Sequence, residues 1–270
     1  MPETVAPSLE IKGLTKRFGG FFALNELDME VAAGHIHALI GPNGAGKTTF
    51  FNLLTGVLAA DEGAILFEGR PLDEARPSRR TARGIARTFQ NIRLFPHLTA
   101  LETVMIGEHC RAYASIWKAL GSAVLRRPFD EAAEERRMRE NAMELLAFLG
   151  LAAHANERAS NLPYGEQRKL EIARALATQP RLLLLDEPAA GLNPNETAAL
   201  DETITRIRDR GVTIVLIEHD MNLVMGISDR VTVLNFGTKI AEGTPGEVQR
   251  NPAVIHAYLG GAHVVREQAA

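Results

Sequence analysis

The stretch GPNGAGKTT at residues 41–49, called the phosphate loop below, is the feature of this sequence that most constrains its fold. It satisfies the pattern G-x-x-x-x-G-K-[ST]. Glycines at positions such as Gly44 and Gly46 let backbone N–H groups turn inward around phosphate oxygens without a side chain in the way. The pattern therefore predicts a nucleotide site, whose residues are Gly41, Pro42, Asn43, Gly44, Ala45, Gly46, Lys47, Thr48 and Thr49.

Two side chains of the phosphate loop add the chemistry that a triphosphate needs. Lys47 is expected to bring a cation to the β- and γ-phosphates, and the Thr48 hydroxyl is expected to bind Mg²⁺. The predicted ligands at this stage are accordingly a nucleoside triphosphate and Mg²⁺, with Lys47 also assigned to catalysis.

The segments on either side of the loop have the required character. Ile36–Ile40 is predicted to be a strand, and the residues after the loop have apolar side chains at helical spacing, namely Phe50, Leu53, Leu54 and Val57. The positive N-terminus of that helix then faces the phosphates. By itself, this arrangement leaves a kinase, a GTPase and a transporter ATPase open.

Alternating strands and helices at both ends of the chain predict an α/β fold with a mainly parallel sheet covered by helices. Residues 97–180 between them have helical patterns, including a T-x-x-E capping box at Thr99 and Glu102. The other predicted strands are Leu9–Lys12, Ala23–Val31, Ala64–Glu68, Leu182–Leu185, Thr213–Ile217, Val231–Leu234 and Lys239–Ala241.

Composition excludes several other classes of protein. The net charge is −3, which is not the basic balance of a chain built to coat nucleic acid. No apolar run approaches the ~18–20 residues that span a bilayer, and the first residues show no secretory signal. The single cysteine, Cys110, excludes an internal disulfide and a cysteine metal site, and is expected to be a free thiol. A cytoplasmic chain is expected, with any membrane link made through a partner.

A pair of carboxylates follows the most apolar strand. Residues 181–188 read RLLLLDEP, so Asp186 and Glu187 emerge at the carboxyl end of a buried strand, where open α/β sheets bind ligands. We expect Asp186 to hold Mg²⁺ and Glu187 to orient and polarise the attacking water.

The segment LPYGEQ at residues 162–167, called the signature segment below, runs into a helix reading RKLEIARAL. A glycine-containing signature of this kind, ahead of LLLLDEP, resembles the ABC ATPases, whose signature usually reads L-S-G-G-Q. Only Leu162 and Gly165 match that pattern at their positions. The resemblance implies that the segment reaches across a head-to-tail dimer to the partner's ATP, through Tyr164, Gly165 and Glu166.

The remaining motifs of that family occur in order. Gln90, in RTFQNIRLF, resembles the loop glutamine that senses Mg²⁺ and links the two lobes, and is assigned to both nucleotide and metal. His219, in LIEHDM, resembles the histidine that contacts the γ-phosphate and positions Glu187, and is assigned to catalysis. Phe18, in KRFGGFFAL, resembles the aromatic residue that stacks on adenine. PAAGLNP at residues 188–194 resembles the loop that touches the opposite subunit.

The resemblance implies one ABC ATPase domain over residues 8–260, with a P-loop NTPase core, an antiparallel β-subdomain and an inserted α-helical subdomain. The core lobe is expected at 8–95 and 180–260, the helical signature lobe at 96–179, and a flexible tail at 261–270.

Within the family the sequence most resembles the larger ATPase subunit of branched-chain amino-acid importers. The features that carry this are LPYGEQRKLEIARAL, DEPAAGLNPNET, extra residues at about 108–135, and the closing KIAEGTPGEVQRNPAVIHAYLG. The implied partners are a second ATPase subunit (identical or a paralogue), two membrane permeases and, indirectly, a periplasmic or surface binding protein. The implied location is peripheral, on the cytoplasmic face of the inner membrane.

Two alternatives remain open from the sequence. The cargo could be urea, another amino acid or lipopolysaccharide, because this subunit does not touch it. A soluble ABC protein acting on DNA or the ribosome is the alternative of a different class, although no tandem domain or basic linker is visible. A GTPase is disfavoured, since the chain has no N-K-x-D motif.

A further hypothesis from the resemblance concerns the permease contact. The surface near Gln90–Pro96 and the helical lobe is expected to form a groove for a short helix of the membrane subunit. Phe89, Leu94 and Phe95 are the candidate contacts, and local core packing is the alternative for each of them.

Overall fold

The structure is a computed structural model that describes residues 7–72, 76–108 and 131–258. Cys110, most of the extra residues predicted at about 108–135, and the tail predicted at 261–270 lie outside the described residues.

The strands form two sheets. Their bounds are β1 Pro7–Phe18, β2 Phe21–Ala32, β3 Ile36–Ile40, β4 Glu62–Phe67, β5 Arg70–Pro71, β6 Ile85–Arg87, β7 Leu182–Asp186, β8 Thr213–Ile217, β9 Arg230–Asn235 and β10 Thr238–Gly243. The larger sheet has six strands in the order β10-β9-β3-β8-β7-β6. All its neighbouring pairs are parallel except β10 with β9. This confirms the predicted α/β class with a mainly parallel sheet.

The smaller sheet is antiparallel, with four strands in the order β2-β1-β4-β5. Its first strand runs past the predicted Leu9–Lys12 to Phe18, through several shifts of register against β2. Leu9, Ile11 and Leu14 are buried, and they pack with Phe50 and Phe51 of the helix that follows the phosphate loop. The smaller sheet therefore rests directly on the element that carries the phosphate loop.

Helices cover the larger sheet and form the middle of the chain. Their bounds are α1 Lys47–Leu54, α2 Pro77–Ala82, α3 residues 100–108, α4 Glu131–Phe148, α5 Tyr164–Ala177, α6 Pro194–Asp209, α7 Met221–Ile227, α8 Pro245–Gln249 and α9 residues 252–258. One face of α5 is buried, including Leu170, Ala173 and Ala177. It packs with α4 and β7 in one hydrophobic cluster.

The capping box predicted ahead of α3 is confirmed. The backbone N–H of Thr99 donates to Glu102 Oε2 at 2.8 Å, and the N–H of Glu102 donates to Thr99 Oγ1 at 3.2 Å. Residues 97–180 are nevertheless not helical throughout, because two 3₁₀ turns, Ala152–His154 and Ala159–Asn161, separate α4 from α5.

Four short elements were not predicted: β5, α2, β6 and α8. The strand β6 has only three residues, Ile85–Arg87, and three residues are too few to show a period. It exists because it pairs in parallel with β7. Within the described ranges, the helices include none with the length and apolar character that crossing a bilayer would take.

Candidate active site

The phosphate loop connects the fully buried strand β3 to α1, as predicted. Two of its glycines are required by their surroundings. Gly41 has φ +150° and Gly46 has φ +105°, both outside the range that side chains tolerate well. A Cβ on Gly41 would collide with the carbonyl oxygen of Leu234, and one on Gly46 with that of Ala23. The loop is thus fixed between β9 and β2.

Lys47 curls over the phosphate loop. Its Nζ donates to the carbonyl oxygens of Gly41 at 2.6 Å and Pro42 at 3.0 Å. Burial lowers the pKa of the Lys47 ammonium, and the carboxylates of Glu187 and Asp186 oppose that change. The Lys47 ammonium thus lies against the loop backbone, within electrostatic reach of both acidic residues.

Asp186 ends β7 and is buried. Its Oδ2 accepts a hydrogen bond from Arg87 Nη2 at 2.7 Å, and Arg87 Nη1 donates to Asn52 Oδ1 of α1 at 2.7 Å. Sequence reasoning missed Arg87, because an arginine in a three-residue strand carries no motif. Its placement ties the acidic end of β7 to the helix of the phosphate loop.

Glu187 meets two of the predicted site residues. Gln90 Nε2 donates to Glu187 Oε2 at 2.8 Å, and His219 Nδ1 lies 3.8 Å from the same oxygen. The turn that carries His219 is held by buried Glu218, whose carboxylate accepts from the backbone N–H groups of Ala189 and His219 at 2.8 and 2.9 Å. Three segments distant in sequence thus place an amide, a carboxylate and an imidazole together.

Phe18 lies at the end of β1, paired with Phe21 at the start of β2, and its side chain is exposed. Lys16 Nζ lies 5.6 Å from the centroid of its ring. Ala23 and Leu24, further along β2, lie against Gly46. An exposed aromatic ring is therefore available a few residues from the point where β2 contacts the phosphate loop.

The signature residues make their contacts elsewhere in the chain. The Tyr164 hydroxyl donates to the carbonyl oxygen of Ala190 at 3.1 Å, in the 188–194 loop. A Cβ on Gly165 would lie 2.8 Å from Glu196 Oε1 of α6. Glu166 lies 3.6 Å from His154 Nε2. All three are in the first turn of α5, where backbone N–H groups lack helical partners.

The family of the chain follows from comparison with known proteins. Residues 24–190 match the family described as ABC transporter, and residues 238–264 match the family described as branched-chain amino acid ATP-binding cassette transporter. The chain belongs to the ABC transporter ATPase family. This confirms the resemblance carried by the motifs.

Relatives of this ABC ATPase match it over nearly their whole length. It is 49% identical over 258 residues, 95% of this chain and 99% of the relative, to the protein described as high-affinity branched-chain amino acid transport ATP-binding protein LivG of Salmonella typhimurium. It is 46% identical over 259 residues, again 95% and 99%, to the similarly described BraF of Pseudomonas aeruginosa.

The fold of the ABC ATPase is also that of solved cassettes. The structure described as the ADP conformation of MJ1267, an ATP-binding cassette of an ABC transporter, superposes with a TM-score of 0.81 and 32% identity, covering 94% of this chain and 99% of that one. The predicted fold class, a P-loop NTPase core with an antiparallel β-subdomain and a helical subdomain, is thereby confirmed. As a member of this family the chain is an ATPase that binds nucleotide.

Proposed function

We propose that this chain is the ATP-hydrolysing, energy-coupling subunit of an ABC importer for branched-chain amino acids. The observation that carries the proposal is the meeting of Gln90, Glu187 and His219, with Lys47 held near the acidic pair. The cargo is proposed because LivG and BraF are described as branched-chain amino acid transport proteins.

Hydrolysis needs the γ-phosphate held and a water placed in line with it. In our proposal the phosphate-loop N–H groups and Lys47 hold the phosphates and neutralise growing negative charge. Glu187 orients and polarises the water, while His219 and Gln90 fix the Glu187 carboxylate. The ring of Phe18 stacks on the adenine.

The side chains at this site also suit a magnesium ion. The Thr48 hydroxyl, the Gln90 amide oxygen and the Asp186 carboxylate are oxygen ligands, which Mg²⁺ prefers, and Mg²⁺ on phosphates needs only one or two from protein. When bound, the ion would neutralise negative charge on the phosphates. The hydrogen bond from Arg87 occupies Asp186 Oδ2, which would leave the other carboxylate oxygen to face the ion.

The signature residues imply a second subunit. In this chain Tyr164 contacts the 188–194 loop, Gly165 lies against α6 and Glu166 lies near His154, so their contacts are outside the Glu187 cluster. We propose that they complete the site of a partner ATPase subunit, head to tail, with the N-terminus of α5 turned toward the partner's γ-phosphate. The partner is a paralogue or a second copy of this chain.

The other proposed partners are two permease subunits, and through them a periplasmic or surface binding protein, with no nucleic acid. The chain would lie peripherally on the cytoplasmic face of the inner membrane. We also retain the proposed lobe division, 8–95 with 180–260 and 96–179 within a domain of 8–260.

The decisive experiment has three parts. The purified chain should bind Mg-ATP, and an affinity-tagged chain should recover two permeases and an ATPase from detergent-solubilised membranes. Vesicles that contain this complex, with its ATPase subunits facing the lumen and the binding protein outside, should accumulate leucine, isoleucine or valine only when the lumen contains ATP. Failure to bind Mg-nucleotide at millimolar concentration would overturn the enzyme assignment, whereas uptake of urea or another solute instead would overturn only the cargo.

A further inference from the structure

A row of charged side chains on α5 fastens the segment of residues 88–93, called the Gln90 loop below. Arg168 Nη1 donates to the carbonyl oxygen of Phe89 at 2.7 Å, and Arg168 Nη2 donates to that of Gln90 at 2.8 Å. Glu171 Oε1 accepts from the N–H of Phe89 at 3.2 Å. One turn further on, Arg174 donates to the carbonyl oxygen of Arg93. The spacing of three residues keeps these side chains on one side of the helix.

Arg168 and Glu171, called the clamp pair below, form an ion pair at 2.9 Å in which both side chains have no solvent exposure. Burial raises the pKa of the Glu171 carboxyl, and the Arg168 guanidinium opposes that rise. Burying two charges is costly, and apolar side chains of similar size are often as stable in such a position. Stability is therefore a weak explanation of the clamp pair, and its hydrogen bonds to Phe89 and Gln90 offer a better one.

The clamp pair joins two parts of the proposed machinery. The Gln90 backbone that Arg168 grips carries the amide that donates to Glu187 at 2.8 Å. The same guanidinium lies 3.4 Å from the hydroxyl of Tyr164, in the signature segment. A single buried side chain thus connects the signature segment with the residue that contacts Glu187.

We propose that the clamp pair is a positioning device for the reaction: it sets the Gln90 amide against Glu187 and makes that placement depend on the signature segment. This inference rests on the proposed function, because Gln90 and Glu187 act there. Arg168 and Glu171 touch no reacting atom themselves, so they act through Gln90.

The test replaces the clamp pair by apolar side chains of similar length, in the double variant Arg168→Met/Glu171→Leu. Removing both charges leaves neither one buried alone, so the variant should fold. We expect unchanged Mg-ATP affinity and KM, but a kcat lowered roughly tenfold, as expected from losing hydrogen bonds to charged groups. The matched control is Arg230→Met/Glu242→Leu, which removes a more exposed pair whose nitrogen and oxygen lie 3.3 Å apart, and kcat should stay unchanged.

A double-mutant cycle with Gln90→Ala separates positioning from a general structural effect. If the clamp pair acts through Gln90, its replacement should have little further effect on kcat once the Gln90 side chain is absent. An equal loss of kcat with and without Gln90, or no loss at all, overturns the proposal.

Hydrogen exchange gives a readout that does not depend on turnover. The amide of Phe89 should exchange faster in the apolar variant, since its acceptor on Glu171 is gone, while the amides of β7 keep their protection. Unchanged hydrogen exchange over residues 88–93 would contradict the proposal that the clamp pair positions the Gln90 loop. These results differ from a failure of the proposed function, in which the wild-type chain binds no Mg-nucleotide or Gln90→Ala turns over normally.

Discussion

Glu187 is held in a backbone conformation that few residues with a side chain adopt. Its φ is +46°, and its N–H donates to the carbonyl oxygen of Ile217 at 2.8 Å. Left-handed backbone costs a non-glycine residue roughly 1 kcal/mol, and such strain clusters at functional sites. With this backbone conformation, Glu187 Oε2 lies 2.8 Å from Gln90 Nε2 and 3.8 Å from His219 Nδ1.

We expect Glu187→Gln to keep Mg-ATP affinity within a factor of about two or three while lowering kcat at least about 100-fold, because an amide cannot polarise the attacking water. Equilibrium nucleotide binding and steady-state phosphate release measure the two effects. The control is Glu202→Gln on the exposed side of α6, which should turn over normally. Full turnover by Glu187→Gln would remove Glu187 from the catalytic role.

His37 shows how burial at a single position makes stability depend on pH. It is the second residue of the fully buried strand β3, with its Nε2 2.8 Å from Thr232 Oγ1. Burial lowers the pKa of His37 from 6.5 to about 4. The unfolded chain therefore binds a proton between pH 6.5 and 4 that the folded chain does not bind, so folding stability should fall as the pH falls through this interval.

The loss from His37 should be on the order of 3 kcal/mol of unfolding free energy between pH 6.5 and 4, at about 1.4 kcal/mol per pH unit. Urea unfolding at several pH values measures it. The variant His37→Asn should lose correspondingly less over the same interval, whatever its stability at pH 7. The matched control His256→Asn, at an exposed position, should show the same pH dependence of unfolding free energy as wild type. The prediction would be contradicted if wild type, His37→Asn and His256→Asn all showed the same dependence.

At the scale of elements, β6 shows that pairing with a neighbouring strand can form a strand that local sequence propensity does not predict. It delivers Arg87 to Asp186 and is followed at once by the Gln90 loop. Arg87 also lies over the rings of Phe51 and Phe89, with its guanidinium carbon 5.4 and 5.2 Å from their centroids. The side chain of Arg87 therefore links β6 to α1 and β7, and the loop that follows β6 is bound by α5.

Helix α3 offers a test of a local signal. Thr99→Ala removes the side chain that caps the helix, and unfolding free energy should fall by about 1 kcal/mol. Thr99→Ser keeps the hydroxyl and should lose less than half of that. Chemical denaturation with a fixed slope is the measurement, and equal stability of Ala and Ser variants would show that the cap contributes nothing.

For the whole molecule, the proposed permease surface lies beside the Gln90 loop. Leu94 is partly buried and packs against the hydrophobic cluster that includes α4, α5 and β7. Phe89 is also partly buried, and the centroid of its ring lies 4.4 Å from the guanidinium carbon of Arg93. Packing within this chain therefore explains much of the environment of both residues. Phe95 is 53% exposed. Of the three candidates, Phe95 is therefore the one whose exposure fits a contact with another protein.

We expect Phe95→Asp to leave the ATPase rate of the isolated chain near that of wild type and to abolish most permease recovery and amino-acid uptake, because a charge enters an apolar contact. The control is Phe236→Asp, at a position that is 77% exposed in the turn between β9 and β10. Uptake that survives Phe95→Asp, or is lost equally with Phe236→Asp, would refute the groove.

The sequence alone determined the phosphate loop with its strand and helix, the acidic pair after four leucines, the capping box at Thr99 and the family itself. These signals are local, because each depends on the chemistry of neighbouring residues or on one period along the chain. The roles of individual site residues, Phe18 and the signature segment among them, remain predictions.

Only the tertiary structure decided the pairing of Arg87 with Asp186, the existence of β6 and the contact of the clamp pair with the Gln90 loop. Each of these joins residues some 80 to 100 positions apart, as the separations of 99 for Arg87–Asp186 and 78 for Arg168–Gln90 show. Whether a charged side chain can be buried depends on the partner that chain folding brings to it. That partner is specified by the packing of whole elements and leaves no pattern among sequence neighbours.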